Sequence, residues 1–567
     1  MAMATIGTVG RRTRGVLAML AALVALGLLA SGCGTPEETG TSSIPTERSN
    51  EGVQESEETP VSGGKVAYGL AAETNGWNPS ASQWASSGHE VARTIFDTLS
   101  AYDADSVIQP NLAESFTPSA DFMQWTIAIR PGIVLHNGEP VSAETVRANQ
   151  EFLSKSVLTG GAYEPVESFS VDPANDLNVI VKMNRPWVNY PYALATQIGV
   201  VADNAWLASG NSDKPIGTGP FELQNWVAGS SLTVVKNTDY WREGLPYLDE
   251  VEFKVVVDDT SRSASLRTGD LDIIQTGSAT EIELFKQDVA DGADYQIVEA
   301  ISGETAETFI QTNGMAAPFD NIDARRALSY ATDKAAFIDV VAGGRYEEAN
   351  GPFSPSSPWF IETDYPQYDP VKAQELVDKV KAANGGTFAF ELVGPPTPDA
   401  AKGMQYLQQQ WRQFGIEVTI PQIEQAQLIV KVLTGNYQAV IWQQFDSPHP
   451  LGDSIWWHPN SAKPIPEFSL NFARNKDERI GEALDAAREE PDLAKEKELY
   501  QEVQTLLAED NPYIWLYHTQ LSIVAQPNVV NVVNYELPPN AAGETKKGLP
   551  IQFGSHPLYQ VWLRPNQ

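Results

Sequence analysis

Cysteine is nearly absent from this chain: Cys33 is the single one in 567 residues. One thiol closes no intrachain disulfide and supports no cysteine-rich zinc site. Histidine is also scarce, with 6 residues, and His449 and His458 stand nine positions apart among prolines, a spacing foreign to two-ligand helical metal motifs. They are expected to be loop or surface residues. Positive charge is in short supply: 38 Lys and Arg face 73 Asp and Glu, a formal net charge of −35. Such a field repels phosphate backbones, so nucleic acid is excluded as a nonspecific partner. No Gly-x-Ser-x-Gly elbow, Walker A loop or His-Glu-x-x-His occurs, and His89-Glu90 lacks the second histidine on its helical face. The acidic pairs Asp103/Asp105 and Asp270/Asp272 lack the glycine and terminal glutamate of an EF-hand loop and read as turn or solvated residues. No enzymatic activity, cofactor or metal is expected.

What is present begins with an export signal. Arg11, Arg12 and Arg14 precede an apolar run from Val16 to Leu29, which ends in Ala30-Ser31-Gly32-Cys33. The run is short for a permanent span, which needs ~20 residues. Small residues ending at a lone cysteine resemble a bacterial lipobox, so residues 1–33 are expected to be a lipoprotein signal peptide with Cys33 lipidated. Residues 34–63 are rich in Ser, Thr, Glu, Pro and Gly and poor in large aliphatics. That composition builds no core and reads as a flexible tether.

From Lys65 onward the patterns mix. Trp125, Ile127 and Ile129 alternate with smaller or polar residues, as do Val251, Phe253, Val255 and Val257, which predicts strands with one buried face. Helical spacing of Ala324, Ala327, Leu328, Ala331, Ala335, Ile338 and Val341 predicts one amphipathic helix between Asp323 and Gly343. Thr397-Pro398-Asp399 reads as a cap opening a helix through Met404, Leu407, Trp411 and Phe414, followed by a strand at Ile416 to Ile420. Further helices are expected over Ile480 to Arg488 and Leu493 to Leu507. Interleaved strands and helices make the class α/β. The 14 tryptophans include Trp187, Trp226, Trp241, Trp442, Trp456 and Trp457, which suit either a core or an apolar cleft. The stretch from Trp442 to Trp457, carrying Asp446, Pro448, His449, Pro450 and Asp453, reads as a loop.

Several spaced blocks together resemble a known family. They include Pro110 to Ser115, Trp125 to Gly132, His136 to Glu144, Gly217-Thr218-Gly219-Pro220-Phe221, Asn237 with Asp239-Tyr240-Trp241, and Leu266 with Gly269 to Asp272. Later blocks are Pro318-Phe319-Asp320, Arg325 to Leu328, Ala331 to Lys334 and Phe414 to Val418. The order and content are similar to the extracytoplasmic substrate-binding proteins of peptide and nickel ABC importers, family 5. The resemblance implies a two-lobed periplasmic-binding-protein-like fold (class II) with an extra small domain inserted in lobe I. By that analogy lobe I comprises 65–103, 204–310 and 525–567, the small domain 104–203, and lobe II 311–524.

The resemblance also implies the function: a monomeric, membrane-anchored receptor on the outer face of the bacterial cell membrane, closing its lobes on a small solute and delivering it to ABC permease subunits with their ATPases. In peptide-binding relatives an aspartate shortly after a tryptophan, with a proline four residues on, receives the peptide ammonium; Trp442, Asp446 and Pro450 resemble that arrangement. The backbones of Gln443 and Gln444, and of Ala85, Ser86 and Ser87, are expected to pair with an extended peptide. Ala439 stands where some oligopeptide binders carry an arginine for the ligand carboxylate. An oligosaccharide, a nickel chelate or haem is the alternative cargo for the same receptor.

Overall fold

The computed structural model describes residues 58–299, 306–445, 447–519 and 521–565. Chain contacts separate Met1–Ser42 from Ser43–Gln567, and every described element belongs to the latter. The expected signal peptide, Cys33 and nearly all of the tether lie outside the described residues.

Two sheets organise the body. The first has seven strands in the order Gln296–Glu299, Ser522–Ala525, Ile273–Thr276, Lys65–Leu70, Glu250–Val255, Ser231–Lys236 and Phe221–Val227. Its middle strand, Lys65–Leu70, runs parallel to both neighbours and buries Val66, Tyr68 and Leu70. The second has six strands in the order Glu347–Glu348, Tyr513–Thr519, Ala306–Thr312, Ala439–Phe445, Ala389–Val393 and Glu417–Thr419. The segment expected as the small domain contains a separate four-stranded sheet, Ala113–Pro118, Gln124–Ile129, Asn175–Met183 and Val166–Asp172. The helix Ala143–Ser154 buries Val146 and Leu153, and its start is fixed by a capping box between Ser142 and Thr145.

The chain passes from the first sheet to the second between Glu299 and Ala306, and returns between Thr519 and Ser522. These crossings lie several residues before the expected lobe edges at 310/311 and 524/525. The strand Ala306–Thr312 is buried at every position despite carrying Glu307, Thr308 and Gln311. Those polar residues mask it in a hydrophobicity pattern. Gln311 is satisfied locally, donating through Nε2 to the Tyr437 hydroxyl at 2.8 Å.

The single helix expected between Asp323 and Gly343 is instead two, Ile322–Ala331 and Lys334–Ala342. Asp333 breaks it, because its carboxylate accepts the Ala336 N–H at 3.0 Å and caps the second helix. At Thr397 the expected cap forms: its hydroxyl accepts the Ala400 N–H at the head of Pro398–Arg412. That helix buries Met404, Leu407 and Trp411 against Phe390 and Leu392 of the second sheet.

Between the segment expected as the small domain and the first lobe, His136 joins two of the sequence blocks. Its Nδ1 accepts the Gly217 N–H at 3.2 Å, so Nε2 carries the proton and donates to the Gly219 carbonyl at 3.1 Å. Burial pushes its pKa down to about 4. The folded chain therefore binds fewer protons here than the unfolded chain between pH ~6.5 and ~4, and His136 contributes stability that is present above that window and lost as pH falls through it. We expect His136→Gln to melt below wild type at pH 7 and the gap to narrow toward pH 4, as read by calorimetric Tm; a gap constant with pH would contradict this.

Candidate functional site

Between the two sheets lies a cavity of about 1140 Å³, larger than the ~300–1,000 Å³ usual for small-molecule pockets. Residues of the first sheet's lobe, the small domain and the second sheet's lobe all line it. One end is bridged by Tyr346, whose hydroxyl donates to the Gly277 carbonyl at 2.8 Å and stands 3.2 Å from the donating Ala279 N–H. The small domain contacts the second lobe directly. Arg185 pairs with Asp485 at 2.5 Å, the Val188 N–H donates to the Arg488 carbonyl at 3.0 Å, and Asn189 Nδ2 donates to Glu496 Oε1 at 2.8 Å. Burial alone would raise the Asp485 pKa, but His458, Arg185 and Arg488 around it hold the carboxyl well below its ordinary range. Leu158, on a small-domain loop and 8% exposed, sits in a cluster with Val393, Leu428, Val432 and Phe472 of the second lobe.

The expected site residues distribute as follows. Trp442, Gln443 and Gln444 line the cavity, but on the strand Ala439–Phe445 rather than in a loop. This strand pairs along its whole length with Ala306–Thr312, whereas its other neighbour, Ala389–Val393, pairs with it only at Ala439 and Val440. Among the described residues, no strand pairs with the second backbone edge from Ile441 to Gln444. Ala85, Ser86 and Ser87 also line the cavity. They are not extended: Ala85 is the N-cap of the helix Ser86–Ile95, with no side-chain cap and no acidic residue in the first turn. Helical backbone there cannot pair as a strand, so that part of the expectation is corrected; the first lobe meets the cavity with the N-terminus of a helix. Asp446 lies outside the described residues.

His449 and His458, expected as loop or surface residues, do lie between regular elements but are buried. His449 Nε2 stands 3.3 Å from Glu496 Oε1, and His458 Nε2 stands 3.2 Å from Asp485 Oδ1. Among the tryptophans, Trp442 and Trp456 line the cavity with Phe472 between them, at ring distances of 5.4 and 5.1 Å. Trp187 lines it beneath Arg488, while Trp226 and Trp241 donate to Glu73 and Asp97 and Trp457 is buried in the second lobe.

Most charged groups on the wall are already engaged. Arg262 pairs with Asp259 and donates to the Gln275 carbonyl, and Glu73 accepts from Trp226 and Gly229. Asp453 differs. It is 4% exposed, lines the cavity, and accepts one hydrogen bond, from the Ser447 N–H to Oδ2 at 3.0 Å. Burial pushes its pKa up to about 8. Composition and spacing carry no signal for Leu158 or Tyr346, because each acquires its setting from elements distant in the chain; Asp453 lies in the stretch from Trp442 to Trp457 that the sequence singles out, where nothing marked it as the buried acid on the wall.

Residues 107–463 match the family "Bacterial extracellular solute-binding proteins, family 5 Middle". The chain is similar to the glutathione-binding protein GsiB of Pectobacterium atrosepticum, 27% identical over 436 residues, covering 75% of this chain and 83% of that protein. Among solved structures it resembles the oligopeptide-binding protein AppA from Bacillus subtilis in complex with a nonapeptide, with TM-score 0.75, 21% identity, and coverage of 89% of this chain and 100% of that one. It also resembles NikZ from Campylobacter jejuni in complex with Ni(L-His), with TM-score 0.70, 20% identity, and coverage of 82% and 95%.

Proposed function

The chain belongs to the bacterial extracellular solute-binding proteins of family 5, and on that premise we propose that its cavity receives a peptide, laid as an added strand along Ile441–Gln444. As a member it is a solute-binding receptor that works with ABC-transporter permeases and their ATPases. Its relatives are receptors outside the cytoplasm. The protein itself does no chemistry in this reading: it captures, closes and docks, and lipid on Cys33 holds it at the membrane while residues 34–63 give it reach.

The observation that carries the peptide reading is the unpaired strand edge on the cavity wall. Main-chain bonds to that edge hold any extended peptide regardless of its side chains, while the surrounding volume accepts the side chains themselves. A sugar has no repeating N–H and C=O pattern to exploit the edge. Asp446, the second residue after Gln444 in sequence, is the proposed counter-charge for the peptide ammonium, with Trp442 on the strand itself. GsiB and AppA, named for glutathione and oligopeptides, are compatible with such cargo.

Native mass spectrometry of the full chain tests this. The expected result is a set of bound masses matching short peptides, with occupancy lost in Asp446→Ala. Hexose-spaced masses, a nickel chelate or haem would overturn the peptide assignment and leave the receptor fold untouched.

A further inference from the structure

Among the described residues, Asp453 is the buried charged group on the cavity wall that has no opposite charge within salt-bridge distance. It lies at the turn between Pro450–Gly452 and the short helix Ser454–Trp457, buried to 4% exposure on the cavity wall. Oδ2 takes the Ser447 N–H; among the described residues Oδ1 has no hydrogen-bond donor and neither oxygen has a cation within salt-bridge distance. Of the basic groups that also reach the cavity, Arg262 is held by Asp259 and Arg488 by Asp485, while Lys463 is exposed and outside salt-bridge distance of Asp453. Burying a carboxylate in this way is costly unless something completes it. No packing need explains the choice, since Asn would keep the bond to Ser447 with no charge to desolvate.

We infer that Asp453 is a specificity residue that admits solutes carrying a cationic nitrogen, an ammonium or guanidinium whose N–H groups occupy Oδ1. The inference rests on the receptor reading and narrows its cargo. Trp456, three residues on and on the same wall, supplies an aromatic face of the kind that attracts organic cations. The raised pKa, about 8, fits the same role: the empty site holds the carboxyl largely neutral near pH 7, and a bound cation favours its ionised form. A neutral solute can pair only with the protonated carboxyl, through an uncharged hydrogen bond, whereas a cationic nitrogen gains a charge-assisted bond to the ionised form. The site thus discriminates by charge.

The test presents the full chain with three pools of tripeptides built on Ala, Leu, Phe and Ser: free N-termini, N-acetylated, and N-acetylated with one Lys. Retention is read by native mass spectrometry. Wild type is expected to hold at least one cationic pool about 100-fold better than the neutral N-acetylated pool, and Asp453→Asn to lose most of that preference, the scale seen when one partner of a buried charge pair is removed. Asp453→Asn should also melt no lower than wild type when empty, because it keeps the Ser447 bond and removes a desolvated acid. A purely structural Asp453 would lower the empty Tm without touching the preference, and that result overturns the inference. Equal retention of neutral and cationic pools by wild type, or an unchanged preference in Asp453→Asn, overturns it while leaving peptide capture standing. If no pool is retained, peptide capture fails and the co-purifying solute decides: one with a cationic nitrogen, lost in Asp453→Asn, supports the inference, and any other overturns it.

Discussion

Leu158→Asp should fold normally and weaken solute retention by about 100-fold or more. Leu158 reaches from the small domain into an apolar cluster of the opposite lobe, so a carboxylate there is desolvated only while the two are in contact. The penalty for an unpaired buried charge is several kcal/mol, and every ~1.4 kcal/mol is tenfold in affinity. Because the partners of Leu158 in that cluster belong to the opposite lobe, the penalty is expected to fall on the contacted state and to spare the fold. The neighbouring Val157 is 76% exposed, and Val157→Asp should change affinity less than about twofold. Calorimetric titration with the co-purifying solute, beside a melting curve of each empty variant, separates the outcomes. Equal affinity in Leu158→Asp and wild type would mean that the small domain is a bystander to binding.

Gly219→Ala should cost on the order of 3 kcal/mol or more, at the upper end of overpacking substitutions, and is expected to prevent accumulation of folded protein at 37 °C. A Cβ at Gly219 would stand 2.4 Å from the Ile95 carbonyl carbon and 2.6 Å from the oxygens of Thr94 and Ile95. These are backbone atoms, so no side-chain rotation relieves the clash. The position is also tied on its polar side: the Gly219 N–H donates to the Ile95 carbonyl at 2.9 Å, and its own carbonyl accepts from His136 and Asn237. Gly351 is the control. A Cβ there meets nothing within 4 Å, and Gly351→Ala should be near neutral in a denaturant melt. Comparable midpoints for the two variants would refute the steric argument.

The Gly219 case explains why the family was readable and the cargo was not. The blocks that carry the resemblance, Pro110 to Ser115, Trp125 to Gly132, His136 to Glu144, Gly217 to Phe221 and Asn237 to Trp241, are absent from the cavity wall. They bind one another: His136 clasps the Gly217–Gly219 turn, Asn237 donates to Gly219, and Tyr240 and Trp241 donate to Asp97. Burial pushes Asp97 up to about 6 even so, as expected of a carboxylate held inside a core. Such residues report how the first lobe and the small domain inserted in it are built. Residues that meet the solute answer to a different constraint and carry no fixed pattern.

Periodicity located the Gln124–Ile129 and Glu250–Val255 strands and the Glu478–Glu489 and Leu493–Asp510 helices, because each keeps one apolar face. It failed at Asp333, where one capping carboxylate outweighs a continuous helical pattern, and at Ala306–Thr312, whose Glu307, Thr308 and Gln311 break the apolar pattern of a strand that is buried at every position. From its residues alone this chain determined an α/β body and, by resemblance, a family; Trp442, Gln443 and Gln444 were expected near the ligand, but their place on a strand rather than in a loop came from the structure. Spacing and composition act over a few residues, and those features are local. Tertiary structure decided that Ala85–Ser87 begin a helix, that Leu158 crosses to the far lobe, and that Asp453 faces the cavity without a counter-charge. Desolvation and pairing are set by which distant segments meet, and no neighbour in sequence encodes them.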